Sequence, residues 1–168
     1  MRPTTKFTFW GAVAGLAIWN GSITVPVAIE HLRDKGRPTL AVAYRSWLVS
    51  PDTITINLLH VGDEAAPIDV YATLGAASDG LSGRSFETIR LNRWFSPRLL
   101  LDGQTFSHIG RQYGTPADYI AFGRTVRSAS GRQIVSASYS GGFMASLQNM
   151  TDGLEAANKA CGIWALGE

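Results

Sequence analysis

Cysteine is almost absent. Cys161 is the only one in 168 residues, which excludes a disulfide framework, a CxxC redox or zinc motif, and lipid attachment at a mature amino-terminal cysteine. Histidine is scarce too: His31, His60 and His108 stand alone, none with a second His or Cys at metal-ligand spacing. No metal or cofactor is therefore expected. A P-loop is missing, as is a GxGxxG run ahead of a helix. Gly80-Leu81-Ser82-Gly83 resembles a nucleophile elbow, but Arg84 stands where the closing glycine belongs, and no Ser-x-x-Lys pair occurs. A hydrolase built from a serine, His60 or His108 and an aspartate is the weakest functional alternative, because nothing in the spacing selects it. Charge is sparse as well, at 17% of residues with a net charge of +2.

What the chain has instead is a long uncharged run at its start. Phe7 to Ile29 carries no ionisable side chain, with Arg2 and Lys6 before it and Glu30, His31, Arg33, Asp34, Lys35 and Arg37 after it. Twenty-three helical residues reach roughly 35 Å, enough to cross a hydrocarbon core of about 30 Å. The first half, to Trp19, is strongly apolar, whereas Asn20, Gly21, Ser22, Thr24 and Pro26 dilute the second half. A cleaved signal peptide needs small residues one and three positions before the cut. Cutting after Gly21 puts Trp19 at the third position back, cutting after Ala28 puts Pro26 there, and the pair Ala41 and Ala43 lies beyond a charged cluster. An uncleaved signal anchor fits better than a cleaved signal or a helix buried in a soluble core. The reading is a cytoplasmic flank at 1–6, a transmembrane segment at 7–29 in contact with the bilayer, a polar linker at 30–39, and an extracytoplasmic domain at 40–168. Domains of that size translocate largely regardless of charge. The expected location is the inner membrane, single-pass, with the domain outside the cytoplasm, which is the periplasm if the cell is Gram-negative.

Beyond the linker, short stretches of β-branched and aromatic residues alternate with turn clusters. Leu40–Val49, Thr53–Val61, Ile68–Leu74, Phe86–Leu91, Arg98–Leu101, Thr105–Ile109, Tyr119–Val126 and Gln133–Tyr139 each read as a strand, with Asp102-Gly103 as a hairpin turn and Gly75–Ser85 as a loop. These predict a mainly β domain, an antiparallel sandwich or bent sheet, closed by a carboxy-terminal helix. Phe143, Leu147, Met150, Leu154, Ala157 and Cys161 recur at spacings of three and four and mark one face of that helix. Gly153 interrupts it, and Asp152 with Glu155 could restart it. Cys161 falls on the apolar face and reads as a buried thiol.

Positive charge is concentrated between positions 84 and 132. Arg84, Arg90, Arg93, Arg98, Arg111, Arg124, Arg127 and Arg132 face only Glu87, Asp102 and Asp118, and Trp94, Phe95, Phe106, Tyr113 and Tyr119 lie among them. Arginine binds phosphate and carboxylate bidentately and stacks on aromatic rings. An anion-binding surface for an acidic ligand is therefore a candidate function. Nucleic acid suits the chemistry but conflicts with an exported location. An anchor plus a small domain without catalytic signature best suits a structural or interaction component of a cell-envelope assembly, with protein partners there.

Overall fold

Thr53–Val61 forms the strand its alternation predicts, burying Ile54, Ile56 and Leu58 completely on one side. The structure, a computed structural model, describes residues 4–33, 36–112, 115–134 and 143–167, with side chains at 13–30, 36–110, 115–134 and 148–167. In chain order the elements are α1 (Thr4–Arg33), β1 (Thr39–Arg45), a 3-10 turn (Ser46–Leu48), β2 (Thr53–Val61), α2 (Pro67–Gly80), β3 (Thr88–Arg93), β4 (Ser96–Asp102), α3 (Gly103–Gln112), α4 (Pro116–Thr125), β5 (Arg127–Ser128) and α5 (Phe143–Leu166). The strands lie side by side in sequence order. β2 and β3 run parallel and every other pair is antiparallel. A parallel pair needs a crossover, and α2 supplies it.

This is a mixed five-stranded sheet with helices, partly α/β, and not the antiparallel sandwich that the strand count suggested. Ala41, Ala43, Ile54, Ile56, Leu58, Ile89, Leu91, Leu99 and Leu101 meet Val70, Leu74, Phe106, Phe122 and Trp164 from the helices in one core. Three of the expected strands are helices. Ile68–Leu74 lies within α2, whose large buried side chains Val70, Tyr71 and Leu74 are three and four residues apart and whose second half, Thr73 to Ser78, is buried throughout. Pro67 opens that helix and Asp69 Oδ2 accepts the Ala66 amide at 2.8 Å, a start signal that the strand-like alternation masked. Most of the expected loop at 75–85 is therefore the second half of α2. Thr105–Ile109 belongs to α3, and Asp102 starts that helix by accepting the Thr105 amide at 2.8 Å instead of turning a hairpin. Tyr119–Val126 is mostly α4, which Pro116 and the Thr115 cap begin. Gln133 makes an isolated bridge to Arg127, while 135–139 lie outside the described residues.

The carboxy-terminal helix is present and runs unbroken through Gly153. Its buried face differs from the expected one: Ala157 and Cys161 are buried, but Met150 and Leu154 are exposed, and the side chains of Phe143 and Leu147 lie outside the described residues. The face that packs is made of small residues (Gly153, Ala156, Ala157, Ala160, Cys161) ending in Trp164. The reason is the closeness of α4, since a methyl group on Gly123 would strike the main chain at Ala157 and Gly153. Three contacts secure the far end of α5. Trp164 Nε1 donates to Asn92 O at 2.8 Å, Arg93 Nε to Ala165 O at 2.8 Å and Arg98 Nη1 to Gly167 O at 3.0 Å. Gly167, at φ 85°, supplies the left-handed residue that ends the helix. The two guanidinium groups also oppose the negative end of the helix dipole.

Candidate functional site

α1 is divided between two environments. It is long and apolar enough to cross a membrane by composition. Val13 to Trp19 are all exposed, while Ile23 and Val27 are fully buried in the domain core. The residues that dilute the apolar run make the docking contacts. Asn20 Nδ2 donates to Leu48 O at 2.9 Å, Asn20 Oδ1 accepts the Arg45 amide at 3.0 Å, and Thr24 Oγ1 donates to Ala43 O at 2.7 Å. Gly80 of α2 lies against the Pro26 carbonyl, so closely that a side chain there would collide with it. The helix also continues through Glu30 to Arg33, so the first residues of the expected linker are its last turn.

Two tight turns stand out at opposite ends of the sheet. Trp47 and Leu48 have φ of 55° and 62°, and Trp94 and Phe95 have φ of 48° and 64°. No other described residue except glycine has positive φ. The left-handed conformation costs about 1–2 kcal/mol for a residue with a side chain, so each turn holds two bulky residues where Asn-Gly would be unstrained. All four are exposed, Trp47 at 83% and both Trp94 and Phe95 at 64%. Asn57, fully buried on β2, holds the second turn by accepting the Phe95 amide at 2.9 Å.

A cleft of about 630 Å³ opens between the 84–86 segment, α3 and α4, lined by Arg84, Phe86, Gln104, Thr105, Ser107, His108 and Asp118. His108 Nδ1 stands 4.0 Å from Asp118 Oδ1, and the Thr115 hydroxyl bonds the other carboxylate oxygen. Ser107 precedes His108 on a helix, and neighbours at that spacing do not face each other. The pair is a polar patch oriented by the Thr115 hydroxyl. His60 is exposed near the end of β2, opposite Leu40 in the ladder, and the His31 side chain lies outside the described residues. Among the described residues no three of His, Cys, Asp and Glu gather as metal ligands.

The seven of the eight arginines whose side chains are described are dispersed. Arg93 and Arg98 serve the end of α5, and Arg124 Nη2 donates to Asn149 O at 2.7 Å in the first third of the same helix. Arg90 is half-buried on β3 with its Nε unpaired. Arg127 and Arg132 are exposed at the β5 turn, where Arg132 Nε donates to Ser130 Oγ at 3.2 Å. Arg84 is exposed in the loop after α2, its Nη1 3.4 Å from Ser22 Oγ of α1. Arg111 is on α3, with its side chain outside the described residues. Three of them thus bind main-chain carbonyls on α5, a use that charge counting does not reveal. The apolar turns were missed in the sequence because Trp-Leu and Trp-Phe carry none of the usual turn residues.

Cys161 is fully buried, and the Tyr119 hydroxyl lies 3.8 Å from its sulfur. Burial pushes the thiol up to about 12, so it is protonated at neutral pH. A disulfide-exchange reagent should leave the native protein unmodified and titrate one thiol once it is denatured; rapid labelling of the native chain would contradict this burial. Because the folded value exceeds the ordinary one near 9, the stability contributed by this thiol is complete below pH 9 and declines as pH rises toward 12.

Comparison with known proteins finds no matching family model, no matching curated protein and no matching solved structure.

Proposed function

We propose that the protein is a membrane-anchored interaction component of a cell-envelope assembly, held in the inner membrane by α1 as a single-pass anchor, with the domain outside the cytoplasm. The observation that carries this reading is the division of α1. Its described residues from Val13 to Trp19 are exposed and touch the domain only at its edge, at Val49 and Arg45, while Ile23 and Val27 complete the core. Cleavage after Ala28 would remove both core residues, which favours an uncleaved anchor over a signal peptide. The apolar segment ahead of the docked residues, Phe7–Trp19, has thirteen residues and about 20 Å of length, some two-thirds of the hydrocarbon thickness. Snorkelling of Lys6 toward the far headgroups and local thinning of the bilayer accommodate the remainder.

An interaction component needs a surface for its partner, and the Trp94-Phe95 turn provides one. The Trp94 amide bonds Leu58 O near the end of β2, whereas the anchor side of the domain lies beside the start of that strand. Trp94 and Phe95 therefore project on the side away from the bilayer. The full-length protein purified in mild detergent should bring envelope proteins with it, and the double variant Trp94→Asn, Phe95→Gly should lose them while remaining folded. That variant relieves the backbone strain, so its Tm should rise. Recovery of the wild-type chain alone, or undiminished partner recovery with the variant, would count against the turn as the contact.

A further inference from the structure

The turn after β1 occupies the end of the domain from which α1 departs. β1 runs antiparallel to the docked part of α1, with Ala43 meeting Thr24 and Arg45 meeting Asn20, so the chain beyond Arg45 continues along the projecting part of the helix. Val49 reaches it and lines a shallow hollow with Gly15, Leu16 and Trp19. Gly15 is four residues beyond Trp19, about 6 Å along the axis. Trp47, Leu48 and Val49 are exposed at 83%, 52% and 61%, and Leu16 and Trp19, which share the hollow with Val49, are exposed as well. Together they form an apolar collar around the base of the anchor, larger than the isolated exposed residues a soluble surface carries.

Polar groups rim this collar. The Arg45 guanidinium lies over the Trp19 ring at 3.9 Å and donates to Pro51 O at 2.8 Å. Arg84 lies one turn further along α1, beside Ser22, and Asp52 is the carboxylate near Arg45. Tryptophan in an apolar collar with arginine behind it is the composition suited to a membrane interface, where rings lie at headgroup depth and guanidinium groups meet phosphates. We propose that the Trp47–Val49 turn is a second membrane contact, seated in the interfacial layer of the bilayer that α1 enters, with Arg84 facing lipid phosphates. The inference rests on the anchoring reading and adds to it: two contacts fix the tilt of the domain, where a single helix would leave it set by the helix alone.

The test uses the full-length chain reconstituted into vesicles of phosphatidylcholine and phosphatidylglycerol, with bromine high on the acyl chains as a fluorescence quencher. Flotation with the vesicles reports anchoring, and the quenched fluorescence reports the turn. Trp47→Phe should lower the quenchable signal to what the tryptophans of α1 contribute, whereas Trp94→Phe should leave it unchanged. Leu48→Glu, at an exposed position that does not endanger folding, should lower quenching of Trp47 without preventing flotation. Flotation with quenching unaffected by Trp47→Phe would overturn the second contact and leave the anchor standing. Failure to float would overturn both. Shielding of Trp47 from aqueous iodide without bromolipid quenching would place a second copy of the chain on the turn, and would also overturn the proposal.

Discussion

Ile23→Asp should unfold or severely destabilise the domain, whereas Val13→Asp, ten residues earlier on the same helix, should leave the fold intact and weaken membrane insertion. Ile23 is fully buried in the core that β1 and α2 share with α1. A carboxyl group there has no opposing charge and costs about 4 kcal/mol or more, whether it is neutralised or the helix undocks. Val13 is exposed, and it is the central residue of the thirteen-residue apolar segment. A charge at the centre of an inserting helix costs about 2.5–3.5 kcal/mol of insertion free energy and nothing in the aqueous domain. Circular dichroism in detergent and the membrane-bound fraction in cells separate the two effects. Equal loss of stability from both variants would mean that α1 does not divide as described.

Trp164→Ala should lower stability by about 3–5 kcal/mol, the cost of truncating a fully buried aromatic. Trp164→Phe should cost about 1–2 kcal/mol, because the ring remains but the Asn92 carbonyl loses its donor. For a chain of this size the alanine variant corresponds to a fall in Tm of roughly 10 °C. Trp164 is where α5 meets β3, and Arg93 and Arg98 close the same junction from the sheet. The loss should therefore be cooperative, with α5 and the sheet melting together. A shift of only a degree or two in Trp164→Ala would show that α5 is a peripheral element.

The strands were legible where chemical character alternated along the chain. In β2 the apolar Ile54, Ile56 and Leu58 alternate with Thr53, Thr55 and Asn57, so period two gave the correct element, although Thr55 and Asn57 are buried as well, Thr55 against Ser46 and Asn57 against the Phe95 amide. The same alternation in Ile68, Val70 and Ala72 misled, because Val70, Tyr71 and Leu74 are the residues that pack and their spacing is helical. Gly75, Ala76, Ala77 and Ser78 look like a loop by composition, yet small side chains are what that buried stretch needs, with Ser78 Oγ donating to Phe106 O and accepting the Gly110 amide at 3.1 Å. Local pattern cannot register such a requirement, since α3 comes about thirty residues later.

The division of α1 was visible in part. Asn20 and Thr24 read as flaws in a transmembrane segment, but besides bonding carbonyls one turn back in α1 they bond main-chain atoms 19 to 28 residues away. A polar residue in an apolar run carries no mark of whether it is tolerated by lipid or bound by protein; only the tertiary partner decides it. The arginines show the converse. Their clustering in sequence suggested one surface, but alternation along β3 and β4 and the presence of α5 send Arg90, Arg93 and Arg98 to different tasks.

The central claim is that α1 serves as both a core helix and a membrane anchor, and intact mass spectrometry of fractionated cells tests it most directly. The account predicts the whole 18.1 kDa chain in the membrane fraction, released by detergent and not by high salt. A soluble species shortened by about twenty to thirty residues would mean a cleaved signal, and would contradict the account, because the truncated chain would have lost the helix segment carrying Ile23 and Val27 or its link to the bilayer.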